Sequence, residues 1–235
     1  MLEGFTEGKV KVAIGISADK GEKRYLIQGY LSVIKSIIEK GAVVAIFGIG
    51  SDKEDAKFLR EELREELREG SIIDLVNKKL SMPLNVAIMS QMDMYIGNFN
   101  GFLDIAQACH VPVIGISCEA KDRSAKFNGV SQFCRLFPYQ VESIVLQPEH
   151  PIGNCVDTAK KFKTSSCSHN GEAHCIAQIQ PKQIVAAYDK MIDFIKNVKS
   201  ISLPPVMRNF DNPVFNLQSS SYLKHLTAQP TEAKV

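Results

Sequence analysis

The sequence contains no tryptophan, and aromatic residues make up only 8% of its 235 residues. It also lacks an excess of charge, because 28 Lys and Arg residues stand against 26 Asp and Glu residues and give a formal net charge of +2. Domains that bind nucleic acid usually carry a clustered basic face, and aromatic residues often lie within it. The lack of both features predicts that nucleic acid is not a partner.

Long apolar runs are also missing. A membrane-spanning helix needs about 20 predominantly apolar residues, whereas the longest apolar runs here, 43–49 and 111–116, have the length of strands. The N-terminal segment carries Glu3, Glu7 and Lys9 and has no apolar core of the kind found in secretory signals. We therefore expect no membrane span and a cytoplasmic location.

The chain does contain a regular alternation of short apolar runs and amphipathic helical segments. Such alternation is typical of an α/β protein with a parallel sheet and helices on both faces. A composition of 45% hydrophobic and 23% charged residues is that of a globular domain. The predicted strands are 9–17, 42–47, 71–75, 94–97 and 111–116, with 144–146 as an edge strand, and the predicted helices are 28–40, 52–69, 82–90, 103–110 and 181–198.

The helical periodicity ends near Lys199, after which the chain contains two proline-containing turns and a run of serines with little periodicity. The sequence therefore predicts a single ligand-binding domain at residues 1–199 and a C-terminal tail at residues 200–235.

Ligands of open parallel sheets bind beyond the carboxyl ends of the strands, which selects the loops at 17–24, 48–52, 77–82 and 97–104. Lys23 and Arg24 would supply cations there, and the glycines Gly97 and Gly101 would let backbone N–H groups approach a phosphate at the start of a helix. Each signal has an ordinary alternative, namely a solvated helix start or a tight turn. No Walker-type phosphate loop is present, and 48–50 lacks the third glycine of a dinucleotide fingerprint.

Six segments, taken in their order along the chain, resemble the C-terminal, nucleotide-sugar-binding domain of glycosyltransferase family 9, the lipopolysaccharide heptosyltransferases. The segment 97–106 is similar to the signature G-N-D-S-G-x-x-H-x-A, and 81–93 is similar to the preceding S-L-x-E-L-A-A-L-I-x-x-A-D. The other matches are Ser17-Ala18-Asp19 with Lys23-Arg24-Tyr25, Phe47-Gly48-Ile49-Gly50-Ser51-Asp52, Val111-Pro112-Val113, and His174-Cys175-Ile176 with Ile179-Gln180-Pro181.

The resemblance implies a doubly wound, Rossmann-like sheet that forms one half of a GT-B glycosyltransferase. It implies a nucleotide-diphosphate sugar as substrate, ADP-heptose-like, with no separate cofactor, and a lipopolysaccharide or other glycan as acceptor. Lys23 would neutralise the diphosphate with Arg24 as a second cation, Ser17 and the backbone of 100–103 would donate hydrogen bonds, and 79–82 would flank the nucleobase. The implied binding residues are Ser17, Lys23, Arg24, Gly48, Ser81, Met82, Asn100, Gly101, Phe102, Leu103 and Asp104.

Two residues of the signature loop depart from the family pattern, since Phe99 replaces its Asp and Asp104 replaces its His. A carboxylate beside a diphosphate is repelled unless it is protonated or bridged by a cation. The family's acceptor site and catalytic base belong to an N-terminal domain that this sequence does not show, so no residue is assigned as the base, and a partner chain could supply that half. Two alternatives stay open: a non-catalytic binding or assembly module, and another doubly wound enzyme such as half of a nucleotide-sugar epimerase.

The region 155–175 contains residues of the types that bind zinc or iron. Their spacing does not form paired C-x-x-C motifs, so we expect no metal site, although zinc or iron remains the alternative to a loop with packed thiols. A disulfide is disfavoured by the expected cytoplasmic setting. The residues concerned are Cys155, Cys167, His169, His174 and Cys175.

Overall fold

The computed structural model describes residues 8–18, 23–76, 78–119, 138, 141–150 and 175–200. These residues contain a six-stranded sheet in which every neighbouring pair of strands is parallel. The strands are β1 (Lys11–Gly15), β2 (Val43–Phe47), β3 (Ile72–Asp74), β4 (Met94–Asn98), β5 (Val113–Ile116) and β6 (Ser143–Leu146). The predicted α/β class with a parallel sheet is confirmed, including the edge strand β6.

The helices cover both faces of the sheet. On one face, side chains of β1 such as Val12 and Ile14 pack with the helices α1 and α6, and on the other face Ala13 packs with α4 and α5. This division follows from the two-residue period of a strand, which sends successive side chains to opposite faces. The helices are α1 (Ile27–Glu39), α2 (Lys53–Glu62), α3 (Arg64–Arg68), α4 (Met82–Met89), α5 (Gly101–Ala108) and α6 (Pro181–Ser200).

The strand order is β3-β2-β1-β4-β5-β6. The chain builds outward from β1 in one direction as far as β3 and then returns to add β4 on the other side of β1. In such a doubly wound sheet the two loops that follow β1 and β4 leave in opposite directions and open a crevice between them. The fold alone therefore places a ligand site beyond Gly15 and Asn98, the last residues of these two strands.

One long predicted helix, 52–69, is wrong in detail. The structure has a 3-10 turn at Gly50–Asp52 and then two helices, α2 and α3, which are separated by Leu63. Leu63 is completely buried and leaves helical geometry at φ −117° and ψ 29°. The break turns the chain while the apolar side chain stays in the core, which a charged and periodic sequence does not reveal.

Tyr25 connects the start of α1 to the segment that precedes α6. Its hydroxyl donates a hydrogen bond to the carbonyl oxygen of Ile179 over 2.9 Å, and its ring meets the ring of Tyr30 edge-on with centroids 5.2 Å apart. Gly29 leaves room for this ring, since a β-carbon there would approach it to 2.5 Å. Among the described helices, none is both long and apolar enough to cross a membrane.

Candidate functional site

A cavity of about 530 Å³ lies in the crevice beyond β1 and β4. Its size falls within the range of about 300–1,000 Å³ that is typical of small-molecule sites. Three loops and the first turns of two helices contribute to it, so its walls combine polar groups with apolar side chains. The lining residues are Ser17, Ala18, Lys23, Ile49, Met82, Asn85, Phe99, Asn100, Gly101, Phe102, Leu103, Asp104 and Ile105.

Asn100 organises the wall formed by α5. As the N-cap residue, it accepts hydrogen bonds at Oδ1 from the backbone N–H groups of Phe102 at 2.9 Å and Leu103 at 3.2 Å. Its Nδ2 donates to the carbonyl oxygen of Ser17 over 2.6 Å, which joins the loop after β4 to the loop after β1. The N–H of Gly101 has no partner among the described residues. An anion in the cavity could therefore accept a hydrogen bond from it.

The floor beneath this cap is the buried ring of Tyr95. Its hydroxyl donates to Oδ1 of Asn100 over 3.1 Å, and burial raises the pKa of Tyr95 above its ordinary range, so the hydroxyl keeps its proton. The ring lies over Gly15 and Gly97, which are paired across β1 and β4. A β-carbon on Gly97 would come within 2.5 Å of the Tyr95 oxygen and 2.6 Å of the Gly15 carbonyl oxygen.

Gly97 therefore serves a purpose other than the one that the sequence indicated. It is the fourth residue of a buried strand and does not line the cavity. The absence of a side chain there makes room for the Tyr95 ring rather than for a phosphate. Gly101, by contrast, does line the cavity, and a β-carbon there would meet nothing within 4 Å.

Two side chains of opposite charge line the cavity. Lys23 lies in the loop between β1 and α1, and Asp104 lies in the first turn of α5. Partial burial raises the pKa of Asp104 above its ordinary value, and the Gln107 amide donates to its carboxylate over 3.3 Å. The cavity can therefore hold an anion at Lys23, while Asp104 either stays protonated or faces a different group of the ligand.

Arg24 is placed differently from Lys23, although the two are adjacent in sequence. Its Nη1 lies 2.9 Å from Oδ1 of Asp52 and 2.7 Å from Oδ2 of Asp55, and it does not line the cavity. Partial burial by itself lowers the pKa of Arg24, but hydrogen bonds to the two carboxylates and their charges outweigh burial and raise it. The cation is thus already neutralised within the protein.

Two further residues of the predicted set also lie outside the cavity wall. Gly48 packs against Val76 and the Asp52 carboxylate, where a β-carbon would approach them to about 3.1 and 3.2 Å. Ser81 is the N-cap of α4 and accepts the backbone N–H of Asn85 at 3.0 Å. The structure brings together the other eight predicted residues: Ser17, Lys23, Met82, Asn100, Gly101, Phe102, Leu103 and Asp104.

The sequence did not indicate every residue of the wall. Asn85 lines the cavity one turn into α4 and donates through Nδ2 to the carbonyl oxygens of Leu80 and Ser81, each at 3.2 Å. Helical spacing could have identified it, because it lies three residues after Met82 and therefore on the same side of the helix. Ile49 and Phe99 lie in the selected loops 48–52 and 97–104, but neither was among the implied binding residues. Phe99 packs over Gly115 of β5, where a β-carbon would meet its ring at 3.1 Å.

Most residues of the alternative metal site at 155–175 lie outside the described residues, namely Cys155, Cys167, His169 and His174. Cys175 is described and buried. Within the part of the chain that the structure describes, no three His, Cys, Asp or Glu side chains are placed to hold a metal ion.

The family model for "Glycosyltransferase family 9 (heptosyltransferase)" matches residues 2–136, which is more than half of the 235 residues. The chain belongs to glycosyltransferase family 9. The matched region includes every described loop that lines the cavity, so the family assignment and the cavity concern the same part of the molecule. No curated protein matches the chain.

Solved structures of family 9 glycosyltransferases have the same fold. A glycosyltransferase of this family from Veillonella parvula superposes with a TM-score of 0.61 at 19% identity, covering 80% of this chain and 47% of its own. The ADP-heptose lipopolysaccharide heptosyltransferase II of Escherichia coli gives a TM-score of 0.58 at 15% identity, covering 81% and 49%. These neighbours are GT-B glycosyltransferases, which confirms the Rossmann-like fold predicted from the sequence.

A third neighbour, the E. coli heptosyltransferase WaaC, was solved with ADP and gives a TM-score of 0.53 at 12% identity, covering 79% of this chain and 45% of its own. The chain therefore spans about half the length of the solved family 9 structures that it matches.

Proposed function

We propose that this chain binds a nucleotide-diphosphate sugar in the cavity beyond β1 and β4 and acts as the donor-binding half of a glycosyltransferase. The observation that carries the proposal is the juxtaposition of Lys23 with the capped N-terminus of α5 in one cavity of about 530 Å³. A cation and the positive end of a helix dipole together favour an anionic group such as a diphosphate.

The cavity walls also suit the rest of such a ligand. Met82 is 63% exposed and Ile49 is 52% exposed, and both line the cavity, so each offers apolar surface to a flat nucleobase. The amides of Asn85 and Asn100 and the carboxyl of Asp104 supply polar partners for hydroxyl groups. Adenine is the base that we favour, because one heptosyltransferase of similar fold is named for ADP-heptose and another was solved with ADP.

We further propose that residues 1–199 correspond to the C-terminal domain of the family and that the acceptor is a lipopolysaccharide or another glycan. The chain matches about half of each related structure, and the crevice of its sheet contains Lys23 and the capped start of α5, which support this proposal. The acceptor site and the base that deprotonates the acceptor hydroxyl would then belong to another domain or to a partner chain.

A second function is favoured by Phe99 and Asp104. A phenylalanine cannot form the polar contact of the Asp that it replaces in the signature, and an ionised Asp104 would repel a diphosphate. A binding or assembly module that kept the fold without transfer activity would tolerate both changes.

Calorimetric titration of the full chain with ADP, UDP, GDP and an ADP-linked sugar tests for the donor site and separates a nucleotide-binding function from an assembly module. Adenosine, which has the base but no phosphate, is the matched control. The titrations are run with and without magnesium, because a divalent cation could bridge Asp104 and a diphosphate.

The donor-binding proposal predicts that ADP and the ADP-linked sugar bind and that adenosine binds much more weakly. Failure of all the diphosphates to bind, in either condition, would contradict it and favour the assembly module. Preferential binding of UDP or GDP would retain the site and overturn the assignment of adenine.

A further inference from the structure

Asp52 is a completely buried carboxylate directly behind the cavity. Its Oδ2 accepts the hydroxyl of Ser17, in the loop after β1, and the backbone N–H of Ile49, in the loop after β2, at 2.7 Å. Ser17 and Ile49 both line the cavity, whereas Asp52 does not. One hidden carboxylate therefore holds two separate parts of the wall.

Arg24 closes the loop that carries Lys23. Its Nη1 contacts Asp52 at 2.9 Å and Asp55 at 2.7 Å, while Nη2 donates to the carbonyl oxygen of Ala18 over 3.3 Å. Ala18 and Arg24 flank this loop on either side, so the guanidinium joins its two ends and attaches both to the start of α2. Lys23 is the neighbour of Arg24 in sequence and lies in this loop.

The loop after β4 is hydrogen-bonded to Ser17, which in turn bonds to Asp52. The carbonyl oxygen of Ser17 accepts hydrogen bonds from Nδ2 of Asn98 at 3.2 Å and from Nδ2 of Asn100 at 2.6 Å. Asn98 is completely buried and accepts the backbone N–H of Tyr25 at 3.2 Å. Ser17 thus links Asp52 to the residue that caps α5.

We propose that Arg24 and Asp52 are positioning residues for the ligand cavity and that neither contacts the ligand. They act through Ser17, Ile49 and Lys23, whose places depend on the Arg24–Asp52 pair. The inference rests on the proposed function in that it takes a nucleoside diphosphate as the ligand, and it changes the role that the sequence suggested for Arg24.

Charge competition makes the two roles of Arg24 experimentally distinct. If Arg24 bound the diphosphate, Asp55 would compete with the ligand for the guanidinium, and removing the Asp55 charge would tighten binding. If Arg24 is a positioning residue, the same change loosens its attachment and weakens binding. Asp55→Asn suits this test, because Asp55 is partly exposed, with 25% of its side-chain surface accessible, and its loss leaves the buried Asp52 in place.

The binding experiment measures ADP affinity by calorimetry for Arg24→Ala, Arg24→Lys and Asp55→Asn. Arg60→Ala is the matched control, because Arg60 pairs with Asp74 at 2.5 Å on the same helix as Asp55 and does not line the cavity. We expect Arg24→Ala to weaken ADP binding by about tenfold or more, the range for one charge-assisted hydrogen bond. Asp55→Asn should weaken it less, Arg24→Lys should recover part of the loss, and Arg60→Ala should change it by less than about twofold.

Amide hydrogen exchange of the ligand-free protein tests the network without any nucleotide. We expect Arg24→Ala to accelerate exchange at the N–H groups of Ile49 and Tyr25, in two of the loops, and of Phe102 and Leu103, in the first turn of α5. Arg60→Ala should leave them protected. Hydrogen exchange of Asp52→Asn, where that variant folds, should show the same acceleration at these N–H groups.

The outcomes separate the inference from the proposed function. Absence of nucleotide binding by the unmodified chain would remove the function, and the exchange data would still decide whether the pair orders the cavity. Tighter binding by Asp55→Asn would overturn the inference and make Arg24 a ligand. Equal effects of Arg24→Ala and Arg60→Ala on both affinity and exchange would overturn it as well, since they would reduce the pair to a general contribution to stability.

Discussion

The hydroxyl of Tyr95 lies 3.1 Å from Oδ1 of Asn100, so a buried aromatic residue in the middle of the sheet holds the residue that caps the cavity helix. The same amide oxygen accepts the first backbone N–H groups of α5. The position of the helix N-terminus in the cavity therefore depends on the packing of Tyr95 across two strands.

Tyr95→Phe removes this hydrogen bond and keeps the ring. We expect the free energy of unfolding to fall by about 0.5–1.5 kcal/mol, the usual net value of one hydrogen bond, and exchange to accelerate at Phe102 and Leu103. Tyr25→Phe is the control, because it loses an equivalent bond to Ile179, which precedes α6 and makes no part of the α5 cap. Chemical denaturation and hydrogen exchange measure both effects, and unchanged protection of α5 in Tyr95→Phe would show that Asn100 holds its position without the tyrosine.

Gly97→Ala tests the space reserved for the Tyr95 ring. A β-carbon would clash with both the Tyr95 hydroxyl and the backbone of Gly15, and overpacking of this kind costs about 3 kcal/mol. Gly101→Ala is the matched control, because nothing lies within 4 Å of its added carbon and alanine favours a helix by up to about 1 kcal/mol over glycine. Denaturant titration should show loss in the first variant and no loss in the second. Equal stabilities would refute the close packing of Tyr95.

Lys23→Ala tests the cation of the cavity. Loss of a charged hydrogen-bond partner should weaken ADP binding by about 1–3 kcal/mol. Lys40→Ala is the control, since Lys40 pairs with Asp189 at 2.9 Å on the surface and exposed pairs of this kind contribute about 0–1 kcal/mol to stability. Calorimetry of both variants gives the comparison, and equal ADP affinity in Lys23→Ala and the unmodified chain would remove Lys23 from the site.

The raised pKa of Asp104 predicts that binding depends on pH. Because partial burial raises this pKa, the folded protein keeps the proton to a higher pH than the unfolded chain does. As the pH rises through the folded pKa, the carboxyl ionises, stability falls slightly and a diphosphate is repelled. ADP-sugar affinity should therefore fall as the pH rises above the ordinary carboxyl pKa of about 4, and Asp104→Asn should lose that dependence. An ADP-linked sugar is the suitable probe, since both of its phosphates are esterified. The same pH profile in both proteins would place Asp104 away from the diphosphate.

Asp104→His restores the residue type of the family signature. If this part of α5 faces the diphosphate, removing the negative charge and adding a donor should tighten ADP binding by about 1 kcal/mol or more. Calorimetry near neutral pH measures the change, with Asp104→Asn separating loss of charge from gain of the imidazole. An affinity unchanged in both variants would count against the alignment of 97–106 with the signature.

The predicted strands differ from the observed ones mainly at their ends, where apolar residues continue beyond the paired part of the strand. Residues 9–17 form an apolar run, yet β1 covers only Lys11–Gly15. Ile16 and Ser17 are nearly as buried as the strand, but they belong to the loop that turns into the cavity. Burial shaped the sequence pattern there, and backbone pairing set the boundary.

The adjacent residues Lys23 and Arg24 show where sequence reasoning about the site stops. Both carry a positive charge before a helix, so sequence reasoning assigned them the same role. Only the folded chain brings Asp52 and Asp55, some thirty positions later, within 3 Å of Arg24. A guanidinium that is already paired with two carboxylates attracts an anionic ligand only weakly. No local sequence pattern reveals partners so distant along the chain.

The class of the sheet, most of its helices and the four loops at its carboxyl edge were predictable from the sequence, because two- and 3.6-residue periodicities record which faces are buried. The order of motifs along the chain indicated the family. The folded chain was needed to show that Gly97 accommodates Tyr95, that Asn85 and Phe99 join the wall, and that Arg24 turns away from it. Those assignments depend on contacts between residues far apart in the chain, and such contacts exist only once the strands have paired.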